Sequence, residues 1–263
     1  MERVQKETKI ELHHGDCLKI MKNIPQASID MILADPPYGI TACPWDSVIP
    51  LEPLWTQIKR ITKPQSAIVM TASQPFTHSL IASNLKDFRY TMVWDKGRTS
   101  GALNANKKPL KAHEDIVVFY QKQPTYNPQM TKAIPGRTRK PSQKDIYIGK
   151  GINEIIGTVH KISQDYDPTT RYPTTIIRIP KIGYFAHPTQ KPVELMIYLV
   201  KTYSNENDTV LDFCMGSGTT GEACAKLNRK FIGIELNEKY FNYANKRIKD
   251  IQSQTDFGFK IPQ

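Results

Sequence analysis

A run of seven residues, Ser28-Ile29-Asp30-Met31-Ile32-Leu33-Ala34, passes without a break into Asp35-Pro36-Pro37-Tyr38, and this junction restricts the fold more than any other stretch of the chain. A short apolar run bounded by turn residues fits a strand covered on both faces, the kind found in parallel sheets packed between helices. Pro36 and Pro37 fix φ and lack N–H groups, so the turn is stiff and the Pro36 carbonyl is left to accept a hydrogen bond. Asp35 then stands at the strand's carboxyl edge, where open α/β sheets bind ligands. Taken alone, the tetrapeptide reads equally well as a plain turn closing a strand, because Asp and Pro both favour turns.

The rest of the chain alternates in the same manner. Patterning predicts strands over 10–13, 67–70, 90–94, 116–120, 209–213 and 230–234, and helices over 17–23, 53–61, 76–84, 192–203, 219–227 and 238–250. Such βα alternation predicts an α/β fold with a doubly wound, mostly parallel sheet. Between 121 and 185 the pattern gives way to Pro, Gly, Thr, Lys and Arg with little periodicity, which reads as an inserted, irregular subdomain. The expected organisation is therefore 1–120, an insert over 121–185, and 186–263 completing the same domain. At 263 residues the chain suits one substantial core carrying such an insertion.

Formal net charge is +11, and its placement matters more than its size. Residues 96–182 hold sixteen Lys or Arg against six Asp or Glu. A field concentrated this way attracts a polyanion, although a Lys-rich solvated loop region would have the same composition. Arg137, Arg139, Lys140 and Lys144 are interleaved with Tyr126, Tyr147, Tyr166 and Tyr172, which favours nucleic acid and marks those four cations as DNA-binding candidates. The four cysteines, Cys17, Cys43, Cys214 and Cys224, form no Cys-x-x-Cys pair and no ligand-like group with the histidines. That predicts reduced thiols, no metal and a cytoplasmic setting. No run is long enough for a transmembrane helix, and the first residues lack the apolar segment of a signal peptide.

Two segments carry chemistry. The exocyclic amine of adenine or cytosine is a poor nucleophile, because its lone pair is delocalised into the ring. If Asp35 and the Pro36 carbonyl each accept one amino hydrogen, the nitrogen is drawn towards sp³ geometry and its developing positive charge is stabilised. Tyr38 offers a face for stacking. Asp35, Pro36, Pro37 and Tyr38 are thus the catalytic candidates. The second segment is the strand over 209–213, which runs into Cys214-Met215-Gly216-Ser217-Gly218-Thr219-Thr220-Gly221. Its glycines match Gly-x-Gly-x-x-Gly, and Glu235, ending the next strand, suits a ribose. A nicotinamide dinucleotide is the obvious competitor, and a glycine turn serving only helix packing is the plainer alternative. Asp212, just ahead of the glycines, would repel a pyrophosphate and attract a cation. S-adenosylmethionine carries a sulfonium and an ammonium but no phosphate, so the loop favours that cofactor. Asp212, Phe213, Met215, Gly216, Ser217, Gly218, Thr219, Thr220 and Glu235 are the candidate cofactor contacts, with Asp35 at the boundary of both sites.

With Asp35-Pro36-Pro37-Tyr38, His187-Pro188-Thr189-Gln190-Lys191-Pro192 and the Asp212–Gly221 loop in this order, the chain resembles the permuted, beta-class DNA amino-methyltransferases. The resemblance covers most of the chain except the insert. It implies a circularly permuted Rossmann-like methyltransferase with 121–185 as target-recognition region, acting on a base flipped out of DNA. Asp at the first position of the tetrapeptide implies adenine-N6 transfer, with cytosine-N4 transfer as the alternative. It further implies that Asp16 and the backbone near Cys17 contact the cofactor's adenine, and that His187, Thr189 and Lys191 lie near its methionine end. His187-Pro188-Thr189 reads equally as a helix start with a Thr cap, and Lys191 as a solvated charge. Trp45-Asp46 falls where related enzymes carry a mobile loop over the base. The family also leaves room for a homodimer and for a restriction endonuclease as system partner.

Overall fold

The computed structural model describes residues 9–41, 43, 46–133, 169–180 and 190–256. The chain forms two compact units, Met1–Asn127 together with Thr175–Gln263, and Pro128–Thr174.

The larger unit is built on an eight-stranded sheet. In chain order its elements are β1 (Ile10–His14), α1 (Cys17–Ile20), β2 (Ile29–Ala34), α2 (Leu51–Ile61), β3 (Thr62–Ala72), α3 (Phe76–Ser83), β4 (Phe88–Ser100) and β5 (Lys111–Phe119). In the smaller unit β6 (Thr131–Lys132) pairs antiparallel with β7 (Thr170–Arg171). The larger unit then continues with β8 (Ile176–Arg178), α4 (Val193–Tyr203), β9 (Thr209–Asp212), α5 (Thr219–Lys226), β10 (Lys230–Glu235) and α6 (Glu238–Asp256). Among the described residues no helix is long and apolar enough to cross a membrane.

Strand order across the sheet is β1-β10-β9-β2-β3-β5-β4-β8. β1, β10, β9, β2 and β3 pair in parallel, and β5 runs antiparallel to both of its neighbours, β3 and β4. β2 shows why the apolar run is a strand: Met31 and Leu33 pack into the core on one face, Ile32 and Ala34 into the core on the other. β3 divides Ala67 and Val69 from Ile68 and Met70 in the same way. A strand with period-two side chains and helices over both faces must be apolar at every position. One core receives Leu54, Trp55, Ile58, Phe76 and Leu80 from α2 and α3; the other receives Leu195, Leu199, Ala223, Ala244 and Ile248 from α4, α5 and α6.

The eight-stranded sheet is mostly parallel, as expected; β5 runs against both neighbours, a direction apolar patterning cannot signal because a covered antiparallel strand has the same composition. Two details depart from the sequence reading. β3 and β4 extend well beyond their apolar centres, since their ends, such as Lys63–Gln65 and Gly97–Ser100, are exposed and polar. β8, inside the segment expected to be irregular, adds a parallel edge strand beside β4.

The chain order reverses between β9 and β2: β9 leads to β10 on one side, whereas β2 leads to β3 on the other. Register aligns Met31 with Val210 and Ile32 with Leu211, so the turn after β2 and the loop after β9 leave the same edge side by side. That is the switch point at which open α/β sheets bind ligands.

Candidate functional site

Asp35 is the hub of a charged network contributed by five separate segments. Its Oδ1 accepts a hydrogen bond from the Thr71 hydroxyl on β3, and Tyr38 Oη lies 2.7 Å from the same oxygen and 3.0 Å from Thr71 Oγ1. Its Oδ2 accepts from Lys191 Nζ at 2.6 Å. Lys191 Nζ also lies 3.2 Å from Glu114 Oε2 of β5, as an ion pair rather than an aligned hydrogen bond, and Lys96 Nζ of β4 lies 3.5 Å from Glu114 Oε1.

Electrostatics follow from this arrangement. Burial pushes the Asp35 pKa up, but the Lys191 charge and the bonds from Lys191, Thr71 and Tyr38 outweigh it and hold the carboxyl below its ordinary value. Lys191 is the mirror case: burial works against its charge, and Asp35 and Glu114 together keep its pKa raised. Burial, reinforced by the Asp35 charge, pushes the Tyr38 phenol far up, so it stays protonated. The Tyr38 ring stacks on Phe76 at 5.4 Å between centroids, with Lys191 Nζ 5.6 Å from the ring centre.

The turn is held from behind. The Asp46 carboxylate accepts hydrogen bonds from the backbone N–H groups of Gly39, Ile40 and Thr41 at 2.9, 3.0 and 2.7 Å, fixing the chain as it leaves Tyr38. Gly39 sits at φ +67, and a Cβ there would stand 2.8 Å from Val48. Trp45 lies outside the described residues.

The glycine loop divides its work. Gly216 has φ +51, and a Cβ placed there would meet nothing within 4 Å, so its backbone faces open space. Gly218 and Gly221 are packing residues. A Cβ on Gly218 would lie 2.9 Å from Ala244 of α6, and one on Gly221 would lie 2.4 Å from Ile248 and 2.7 Å from Phe231. Glu235, at the end of β10, accepts from Gly216 N–H at 2.9 Å and from Asn237 N–H at 2.7 Å. Each of its oxygens retains acceptor capacity, as a ribose diol requires. Asp16 caps α1 by accepting from Leu18 N–H at 2.8 Å, and Gly15 N–H donates to the Glu235 carbonyl at 2.9 Å, which brings the β1 and β10 ends together. The Cys17 thiol beside Asp16 is buried and pushed up to about 11 by burial and then by the Asp16 charge.

Asp212 is only 3% exposed and accepts from Cys214 N–H at 3.1 Å. Burial, with smaller contributions from the Asp35 and Glu235 charges, pushes its carboxyl up to about 7. Three carboxylates therefore face one edge of the sheet, and among the described residues none supplies a cation to the innermost. A sulfonium or ammonium fits that demand and a pyrophosphate opposes it. These residues thus suit a cationic, adenosine-bearing donor.

Of the expected cofactor residues, Phe213, Met215, Thr219 and Thr220 are buried, and Phe213 and Met215 belong to the two cores. A ligand would meet the loop backbone there. Ser217 donates to Gln190 Oε1 at 2.9 Å, and the neighbouring Lys191 reaches Asp35. Consecutive residues thereby tie the glycine loop to the Asp35 turn. Lys191, expected near the methionine end of a cofactor, is held on Asp35 and Glu114, and it is buried, not the solvated charge of the alternative reading. His187, Thr189, Arg137, Arg139, Lys140 and Lys144 lie outside the described residues. Thr71, Glu114, Lys96 and Gln190 were not anticipated. Gln190 at least sits inside a motif, whereas the other three lie on strands and are brought to Asp35 only by strand order.

A family model described as DNA methylase, of the N6/N4 type, matches residues 29–246, most of the chain. The chain belongs to that family. Among its relatives, the DNA adenine methyltransferase YhdJ of Escherichia coli (strain K12) is 30% identical over 254 residues, covering 89% of this chain and 81% of the relative. Two solved structures share the methylase's fold. M1.HpyAVI in complex with SAM matches with a TM-score of 0.62 at 24% identity, over 91% of this chain and 98% of that one. The cytosine-N4-specific PvuII DNA methyltransferase matches with a TM-score of 0.62 at 14% identity, over 97% and 96%. Within this DNA methylase, the Asp35 turn and the Gly216 loop both fall inside the matched segment.

Proposed function

We propose that this DNA methylase transfers a methyl group from S-adenosylmethionine to the N6 amine of an adenine turned out of the DNA stack. The observation that carries the reading is an Asp35 held ionised by Lys191 beside a glycine loop with a buried carboxylate, Asp212, on adjacent parallel strands at one sheet edge. YhdJ, named an adenine methyltransferase, supports adenine over cytosine, as does Asp at the head of the tetrapeptide.

S-adenosylmethionine supplies an activated methyl group on a cationic sulfur. Glu235 would take the ribose hydroxyls, Asp16 and the backbone near Cys17 the adenine, and Asp212 the positive end, with the Gly216 backbone open to the ligand.

The chain's own part is to make the amine nucleophilic. A carboxylate has about four acceptor sites. Tyr38 and Thr71 crowd Oδ1 of Asp35, and Lys191 takes one site on Oδ2, which leaves Oδ2 with one site for an amino hydrogen. The Pro36 carbonyl takes the other hydrogen. Lys191 keeps Asp35 ionised, so the carboxylate stabilises the positive charge that grows on nitrogen, and Oδ2 is placed to accept the departing proton. Residues 1–120 would carry this chemistry, 186–263 the cofactor, and the basic 121–185 segment with Arg137, Arg139, Lys140 and Lys144 the DNA target.

Asp35→Ala should abolish methyl transfer, measured by digesting treated DNA and identifying the methylated nucleoside, while calorimetry finds S-adenosylmethionine affinity nearly unchanged. Normal turnover in that variant refutes the role of Asp35. N4-methylcytosine as the wild-type product would refute the adenine assignment.

A further inference from the structure

The connection between β4 and β5 rises from the same edge of the sheet as the Asp35 turn, because β4 and β2 both run towards it. Glu114 of β5 belongs to the Asp35 network, and Lys111, where β5 begins, lies three residues nearer the edge. At about 3.3 Å per residue, the loop over 101–110 starts roughly 10 Å beyond the carboxylates. Every residue in it is exposed.

Its head is a single 3-10 turn, Ala102–Asn104, launched by Gly101 at φ +88, and it presents Leu103 at 97% exposure. Residues 96–113 contain Lys96, Arg98, Lys107, Lys108 and Lys111 and no Asp or Glu. Lys96 and Lys111 are engaged below, by Glu114 and by Ser73 respectively. Arg98, Lys107 and Lys108 are exposed around the apolar crest.

A lone exposed leucine on a protein surface is ordinary. Here it caps a loop of one charge sign at the edge where catalysis is placed. Duplex DNA combines a polyanionic exterior with an apolar stack, and extrusion of a base leaves a gap between two base faces. Apolar side chains fill such gaps in proteins that open or kink the duplex. We propose that Leu103 enters the stack as the target base leaves it, and that Arg98, Lys107 and Lys108 hold the flanking phosphates. This inference rests on the methylase reading above.

The test uses the full chain. Wild-type protein is first given unmethylated bacterial DNA, and sequencing of modified bases locates its target. Duplexes with that target are then made with 2-aminopurine at the reacting position, whose fluorescence reports extrusion, and separately with an abasic site opposite a normal target base. Leu103→Ala should weaken the fluorescence rise and lower kcat/KM on the paired duplex by roughly tenfold or more, while the abasic duplex brings it back near wild type, since that gap costs less to open. Leu103→Met should behave as wild type. The double variant Lys107→Gln, Lys108→Gln should reduce the slope of log affinity against log salt by about 1.8. Undiminished activity of Leu103→Ala on the paired duplex, equal loss on both duplexes, or an unchanged salt slope overturns the corresponding half of the proposal. A wild-type protein that modifies no DNA would instead overturn the methylase reading, and the wedge with it.

Discussion

Replacing Asp212 with asparagine should stabilise the protein above neutral pH and weaken its hold on the methyl donor. Asp212 is 3% exposed, and burial raises its carboxyl from 3.8 to about 7. At 1.36 kcal/mol per pH unit, that difference corresponds to roughly 4 kcal/mol, an upper limit because the interior relaxes around a charge. The sign follows from linkage. The folded-state pKa lies above the unfolded one, so the contribution of Asp212 to stability is complete below about pH 4, declines as pH rises, and is gone above about pH 7. Asparagine has nearly the same shape and never ionises, so its stability lacks this decline. Urea unfolding at pH 5 and pH 8 measures the gap between the two proteins, and the titrations of groups not coupled to Asp212 cancel in the difference. Between those pH values the variant should gain up to roughly 3 kcal/mol on wild type, or about 1 M in urea midpoint. In calorimetry a cationic donor should pull the Asp212 pKa down, so wild-type affinity should rise from pH 6 to pH 8 with release of a proton, and the variant should show neither effect. A stability gap that is constant with pH, or that narrows as pH rises, would refute the reasoning.

Removing Lys191 should move the acid limb of the pH profile: with its partner gone, burial dominates at Asp35, its pKa rises, and in Lys191→Met the kcat/KM should begin to fall off at a higher pH than in wild type. Gly221→Ala forces a methyl against Ile248 and Phe231, so the melting temperature should drop by about 2–6 °C, for an overpacking cost of about 1–2 kcal/mol. Gly216→Ala should act differently. Its methyl meets no atom within 4 Å and costs about 1–2 kcal/mol in left-handed strain, but on the proposed reading it projects into the space the donor fills, so calorimetric affinity for S-adenosylmethionine should fall in this variant and hold in Gly221→Ala.

The sequence by itself determined the parts whose chemistry is contiguous. An apolar strand running into Asp35-Pro36-Pro37-Tyr38 and a strand over 209–213 that carries Asp212 into the Gly216 loop are each readable, because the turn, its rigidity and its charges occupy adjacent positions in the chain. Burial on both faces, and with it the α/β class, was legible from the same runs. Tertiary structure alone decided that these two turns are neighbours, through the pairing of β2 with β9, since nothing local sets which strands adjoin. It also decided that Thr71 of β3 reaches Asp35, that Lys191 bridges Asp35 to Glu114 of β5, and that Lys96 of β4 pairs with Glu114. The glycines make the same distinction within a single motif. Spacing treats Gly216, Gly218 and Gly221 alike, yet only the helix laid across them shows that two carry packing and one faces open space. A residue's type and spacing define what it can do, whereas its burial and charge environment depend on segments distant in sequence, and those are set only when the sheet closes around them.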